Sequence, residues 1–189
     1  MRCFIAIPLP DVVKEGLAEI QEILRGTGGH GFDVSWTRPE GIHLTLKFLG
    51  EVEEAAVARI IAAVAPPLSG IPPFHLRIRG MGCFPSPSSP RVVWVGVEEA
   101  EGVLNRLQQG VEKAAESLGF PPENRKFTPH LTVGRVRSPI HRETLIRRVE
   151  ERREIDLGEV EVREVHLMES ILKPEGAIYR IVKTFPLNG

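Results

Sequence analysis

The chain predicts an α+β fold, and three observations carry that prediction. Strand-like and helix-like segments follow one another in mixed succession, without the strict strand-helix-strand alternation of a doubly wound sheet. The succession recurs approximately in each half of the chain. One tetrapeptide pattern also occurs twice, as His43-Leu44-Thr45-Leu46 and His130-Leu131-Thr132-Val133, each copy within a predicted strand, which suggests two similar lobes.

The first segment, Arg2-Cys3-Phe4-Ile5-Ala6-Ile7, is β-branched and aromatic enough for a buried strand, and Pro8 and Pro10 stop it. Asp11 suits a helix N-cap. Val12, Val13, Leu17, Ile20, Ile23 and Leu24 then recur at helical spacing up to Gly26, and a glycine-rich loop over 26–31 follows. Between 33 and 50, short apolar runs broken by Pro39 and Gly41 read as two strands, the second over 43–49. A helix is expected over 53–64, ending before Pro66 and Pro67. Phe74, Leu76 and Ile78 alternate with His75, Arg77 and Arg79, the pattern of a half-exposed strand. Prolines and serines over 84–90 read as a loop before a strand over 91–97. The longest helical pattern covers 98–118, with Val103, Leu104, Leu107, Val111, Ala114, Ala115 and Leu118 on one side and Gly119 as its stop. A strand over 127–136 and a short helix from Ser138 to about residue 151 come next. The last pair of strands, 160–172 and 177–185, is joined by the turn Lys173-Pro174-Glu175-Gly176.

With 189 residues, 42% of them hydrophobic and 26% charged, the chain can bury an ordinary globular core, and disordered and fibrous classes are excluded. The length fits a single domain over 1–189, with room for two lobes that share a cleft. A net charge of −1, with both signs interspersed, lacks the basic excess of long-duplex binders, so any nucleic-acid contact is expected to be small and local. Cys3 and Cys83 give neither a disulfide framework nor a metal-ligand spacing, which suits a reducing compartment. The first ten residues lack a signal-peptide layout, and no segment approaches the roughly 20 apolar residues of a membrane span. A cytoplasmic protein with no membrane partner is expected, and a monomer.

Side chains alternate along a strand, so the His and Thr of each tetrapeptide point one way while Leu and the following aliphatic residue point into the core. If the two strands lie side by side or across a cleft, two imidazoles and two hydroxyls converge on a space about the size of a phosphate. Cleavage of a cyclic phosphodiester needs such a set. A neutral imidazole takes a proton from water, an imidazolium protonates the leaving ribose oxygen, and hydroxyls donate to the non-bridging oxygens. Histidine suits both jobs because its ordinary pKa, about 6.5, leaves both forms accessible near neutrality. Zinc chemistry is the rival, but it wants three or four His, Cys or carboxylate ligands, and here Thr stands where a further ligand would be expected. A single His-x-Thr is usually an ordinary solvent-facing strand pair; its repetition with the same intervening Leu favours the functional reading.

These residues resemble the two-histidine phosphoesterase superfamily and, within it, the RNA 2',3'-cyclic phosphodiesterases historically named 2'-5' RNA ligases. The resemblance runs nearly the whole chain. It includes Arg2-Cys3-Phe4-Ile5-Ala6-Ile7, the stretch from Trp36-Thr37-Arg38-Pro39 to Lys47-Phe48-Leu49-Gly50, and Phe84-Pro85 with Pro90-Arg91-Val92-Val93-Trp94. Phe127-Thr128-Pro129 leading through His130 to Gly134-Arg135, Leu167-Met168-Glu169-Ser170 and Gly176-Ala177-Ile178-Tyr179 complete it. It implies two pseudo-symmetric lobes, each an antiparallel sheet backed by helices, with the active site in the cleft between them. It further implies hydrolysis of an RNA terminal 2',3'-cyclic phosphate to a 2'-phosphomonoester with His43 and His130 as catalytic residues and with neither metal nor nucleotide cofactor. Ligation to an RNA 5'-hydroxyl would be the reverse reaction. The partners implied are RNA ends or small nucleotides bearing that cyclic phosphate.

Thr45 and Thr132 are the expected phosphate-binding hydroxyls, and Arg135 matches the phosphate-binding arginine of the family. Strict alternation from His130 nevertheless puts Gly134 on the cleft face and Arg135 opposite, unless Gly134 marks a bulge. Phe48 matches a residue that can stack on a nucleobase, but periodicity puts it in phase with Leu44 and Leu46, in the core. Lys47 is in phase with His43 and Thr45, which reads as an exposed lysine or a phosphate contact. His75, His141 and His30 read as bystanders, His166 as exposed or cleft-lining, Tyr179 and Ser170 as supporting groups, and Trp36 and Trp94 as packing anchors. The same chemistry would serve a 2',5'-linked oligonucleotide or a small cyclic phosphate, and a non-catalytic module binding RNA ends is the alternative of another class.

Overall fold

The structure, a computed structural model, describes residues 1–26 and 31–189; the centre of the expected glycine-rich loop, His30 included, lies outside them. In chain order the described elements are β1 (Arg2–Ile7), α1 (Asp11–Arg25), β2 (Val34–Trp36), β3 (Leu44–Glu51), α2 (Val57–Ser69), β4 (Phe74–Ser86) and β5 (Ser89–Glu98). There follow α3 (Val103–Ser117), β6 (His130–Val136), α4 (Arg142–Glu150), β7 (Asp156–Val162), β8 (Glu164–Lys173) and β9 (Gly176–Pro186). Single 3₁₀ turns at Pro39–Gly41 and Glu54–Ala56 precede β3 and α2. The strands form two sheets, β3-β1-β8-β9 and β2-β6-β5-β4-β7, with antiparallel pairing throughout. This is the expected α+β fold of two helix-backed antiparallel sheets. A continuous apolar core, with Ile5, Leu17, Leu76, Leu107, Leu131 and Val165 fully buried, runs through both. No helix of the described residues is long and apolar enough to cross a membrane.

The sheets are not the two halves of the chain. β1 and β3 pair with β8 and β9 from the far end, while β2, β4 and β5 belong with β6 and β7. Two helices are exchanged as well. α1, which leaves the first sheet, packs on α4 and touches the second sheet, where Gly16 lies against Leu157 of β7. α3, which leaves the second sheet, packs on α2 and β3 of the first.

Several element boundaries depart from the sequence expectation for visible reasons. Pro10, not Asp11, occupies the N-cap of α1, and Asp11 is its acidic first-turn residue. α2 continues through Pro66 and Pro67 to Ser69 because Ile60, Val64 and Leu68 make a continuous buried stripe. Two prolines in the last turn cost only the donors for the carbonyls four residues back, and Gly110 of α3 leaves room for Pro67, since a Cβ there would lie 2.9 Å from it. The expected proline-serine loop is a hairpin tip, with β4 and β5 paired out to Ser86 and Ser89. α3 starts at Val103 because the Glu99 carboxylate accepts from the amides of Glu101 and Leu104 ahead of it, at 2.9 and 3.2 Å. The strand expected over 160–172 is two strands in different sheets, β7 and β8, divided at Arg163. The spacing of three between Val162 and Val165 marks that change of phase.

Candidate active site

β3 does not alternate strictly. Its pairing with β1 runs from Ala6 opposite Thr45 to Ile5 opposite Lys47 and so skips Leu46, a β-bulge. Beyond the bulge every side chain changes face. Phe48, opposite Phe4, therefore shares the face of Thr45 and stands 68% exposed, not in the core. Lys47 goes inward, 5% exposed, where Nζ meets Glu112 Oε1 of α3 at 2.6 Å and donates to the Pro121 carbonyl at 2.7 Å. It is neither a phosphate contact nor an exposed lysine.

β6 repeats the device. Trp94 of β5 stands opposite Thr132 and Val93 opposite Gly134, so Val133 is skipped. Val92 and Trp94 share a face, and Arg135, opposite Val92, consequently shares the face of Thr132. Gly134 takes the buried place, where a Cβ would lie 2.9 Å from Val34 and 3.0 Å from Trp36. Counting from each motif histidine, Lys47 and Gly134 are equivalent positions, and so are Phe48 and Arg135. His43, Thr45 and Phe48 thus lie on one face of the first sheet, and His130, Thr132 and Arg135 on one face of the second.

Aromatic rings hold both imidazoles. His43 stacks on Phe4 with ring centroids 4.7 Å apart and meets Tyr179 edge-on at 5.0 Å. Tyr179 arrives there because the β8–β9 hairpin curls back over the start of β3: the guanidinium of Arg38 donates to the Glu175 carbonyl and Tyr179 lies against Gly41. His130 meets the edge of Phe84 at 5.1 Å, and its Nδ1 bonds the Thr128 carbonyl at 2.7 Å, which leaves Nε2 for other partners. Phe4 and Phe84 lie in stretches that carry the resemblance, but the sequence alone gives them no role, and Trp94, read as an anchor, lies on the face of Thr132. His166 is 6% exposed, opposite Ala6 and so on the face of Thr45, with Nε2 2.7 Å from Glu164 Oε1. His75 and His141 are exposed and apart from both motifs.

Burial, with the nearby positive charge of Lys14 and the imidazole of His166, pushes the pKa of His43 from 6.5 down to about 4. Between those values the unfolded chain binds a proton that the folded protein does not, so stability falls as pH is lowered through the window. The expected loss is at most about 3 kcal/mol by 1.36 kcal/mol per pKa unit. Urea unfolding at pH 7 and pH 4.5 measures it, and the His43→Gln variant should show a correspondingly flatter dependence. An equal dependence in that variant would assign the effect elsewhere.

Comparison with known proteins supplies the rest. The model of the 2'-5' RNA ligase superfamily matches residues 9–173. The chain belongs to this superfamily. Among its similar members, the RNA 2',3'-cyclic phosphodiesterase of Methanothermobacter thermautotrophicus is 38% identical over 187 residues, 99% of each chain. That of Archaeoglobus fulgidus is 40% identical over 186 residues, covering 98% of this chain and 99% of the relative. The crystal structure of TT0787 from Thermus thermophilus superposes with a TM-score of 0.81 at 32% identity, covering 100% of this chain and 99% of the other. E. coli LigT complexed with 3'-AMP gives 0.77 at 24% identity, covering 100% and 98%, a likeness of fold. Both motif strands of this superfamily member lie within the matched segment.

Proposed function

We propose that the protein hydrolyses the 2',3'-cyclic phosphate at an RNA end to a 2'-phosphomonoester, with His43 and His130 as the acid and base pair. The observation that carries this reading is the duplication: two sheets each offer a histidine, a threonine and, past a matched bulge, a side chain suited to a nucleotide. Relatives about 40% identical over nearly the full length bear the name of that activity.

In this reading the two motif faces meet across the cleft around one phosphate. Water attacks phosphorus, the bond from phosphorus to O3' breaks, and one imidazole takes the proton of the water while the other gives its proton to O3'. Thr45, Thr132 and Arg135 donate to the non-bridging oxygens as charge builds on them, and Phe48 stacks on the terminal base. Ligation is the same attack with an RNA 5'-hydroxyl in place of water: the bond from phosphorus to O3' breaks and a 2'-5' phosphodiester forms. No step of this reading calls on a metal.

The test is incubation of a short RNA ending in a 2',3'-cyclic phosphate in EDTA without nucleotide, with the product isomer identified by chromatography. A 2'-phosphate supports the reading, whereas a 3'-phosphate or turnover only with added metal overturns it. The acid limb of kcat/KM then tests His43 as the base in the free enzyme: a limb near pH 4 assigns the role to His43, and a limb well away from it removes that role from His43.

A further inference from the structure

A residue skipped at a β-bulge loses its partner in the ladder, and its carbonyl, if buried, needs another donor. Both motif strands carry a bulge, and a buried glutamine from a helix of the other half of the exchange meets the carbonyl of each skipped residue. The Val133 carbonyl accepts from the Thr37 amide at 3.0 Å and also from Nε2 of Gln21 on α1 at 2.9 Å, and the second proton of the Gln21 amide group goes to the Thr37 carbonyl at 2.6 Å, so Gln21 ties the end of β2 to the bulge of β6. The Leu46 carbonyl accepts from Nε2 of Gln108 on α3 at 3.5 Å. Gln21 is 2% and Gln108 8% exposed, two of only four buried polar or charged residues among those described. In each strand the carbonyl belongs to the third residue past the motif histidine, and the side chain two residues further on is the one turned to the face of the threonine. Outside the tetrapeptides the two strands share no sequence, so the recurrence of bulge and glutamine together marks a duplicated part.

We propose that Gln21 and Gln108 are positioning residues for substrate: each holds the bulge that presents Arg135 or Phe48 to the nucleotide. The inference rests on the roles given to those two side chains above. Without the side-chain amide the bulge loses a tie that a regular pleat does not need, and a regular pleat returns Arg135 or Phe48 to the helix side.

The experiment uses the full chain and a cyclic-phosphate RNA. Gln21→Met should raise KM about tenfold, the size of effect that losing the two buried hydrogen bonds of the Gln21 amide produces, with kcat little changed. In an Arg135→Ala background it should add no further rise, whereas Gln108→Met should still multiply with Arg135→Ala, because Gln108 acts on β3 and Arg135 lies on β6. Amide hydrogen exchange on the free protein should quicken at residues 133–135 in Gln21→Met while the rest of the second sheet stays protected. Unchanged KM with unchanged exchange, or multiplying effects of Gln21→Met and Arg135→Ala, would overturn the proposal. If Gln21→Met does not fold, Gln21→Glu serves. A carboxyl buried between two carbonyls stays protonated in acid and donates, so its KM relative to wild type should approach one at low pH and rise with pH, and a flat ratio overturns the idea. A wild-type protein that leaves the cyclic phosphate intact would sink the functional reading, while the exchange result would stand or fall by itself.

Discussion

Alanine in place of His130 is expected to lower kcat/KM on a 2',3'-cyclic-phosphate RNA by roughly 10²- to 10⁴-fold, the worth of one general acid or base, while the protein stays folded. The ring is half-buried, its Nδ1 bonds a local carbonyl, and its neighbour Phe84 keeps Trp94 as a partner when the imidazole goes. His43→Ala should cost as much in rate. If both act in the one chemical step proposed above, the loss in the double variant should be far less than the product of the single losses. Single-turnover assays with unfolding curves on the same preparations check this. Near wild-type turnover in either variant removes that histidine from the chemistry, and lost turnover with a lost fold says nothing for catalysis.

Lys47→Ala should destabilise the protein by about 3–5 kcal/mol, the usual consequence of stranding one member of a buried ion pair. Lys47 Nζ lies 2.6 Å from Glu112 Oε1 and bonds Pro121, and the Glu112 side chain is only 18% exposed. The alanine variant leaves that carboxylate facing the underside of β3 with the Glu123 amide and Gln108 as its remaining partners. Lys47→Met combined with Glu112→Gln should recover most of the loss, since both charges leave together and the amide keeps an acceptor. Urea midpoints of the three proteins measure it, and a Lys47→Ala midpoint near wild type would show that the pair is dispensable.

The sequence makes the fold class legible because β-branched runs, helical stripes and turn residues agree locally for most elements. What it hides is phase. Strict alternation puts Phe48 in the core and Lys47 on the open face; one skipped residue reverses both, and nothing in Leu46 itself announces a bulge. In β6 the glycine at 134 does announce one, so the placing of Arg135 could be foreseen there as an alternative. The division of 160–172 between two sheets is foreshadowed only by a slip of apolar spacing after Val162. The contacts of Phe4, Phe84, Gln21 and Gln108 with the motifs were invisible because the motif residues they meet lie 39 or more residues away, and a side chain next to a motif in space carries no mark of it in sequence.

The interleaving of the two sheets bears on when the protein comes to exist during synthesis. β1 has β3 on one edge soon after both emerge, but its other edge waits for residues 166–170. β2 has no partner but β6, and β7 must still return to β4. The motif strand of the second sheet therefore waits for β7 to finish its sheet and that of the first for β8 and β9, and such distant pairings close slowly. A truncated product should be inert and unfolded, never half an enzyme, and unfolding should extinguish both histidine sites in a single cooperative event.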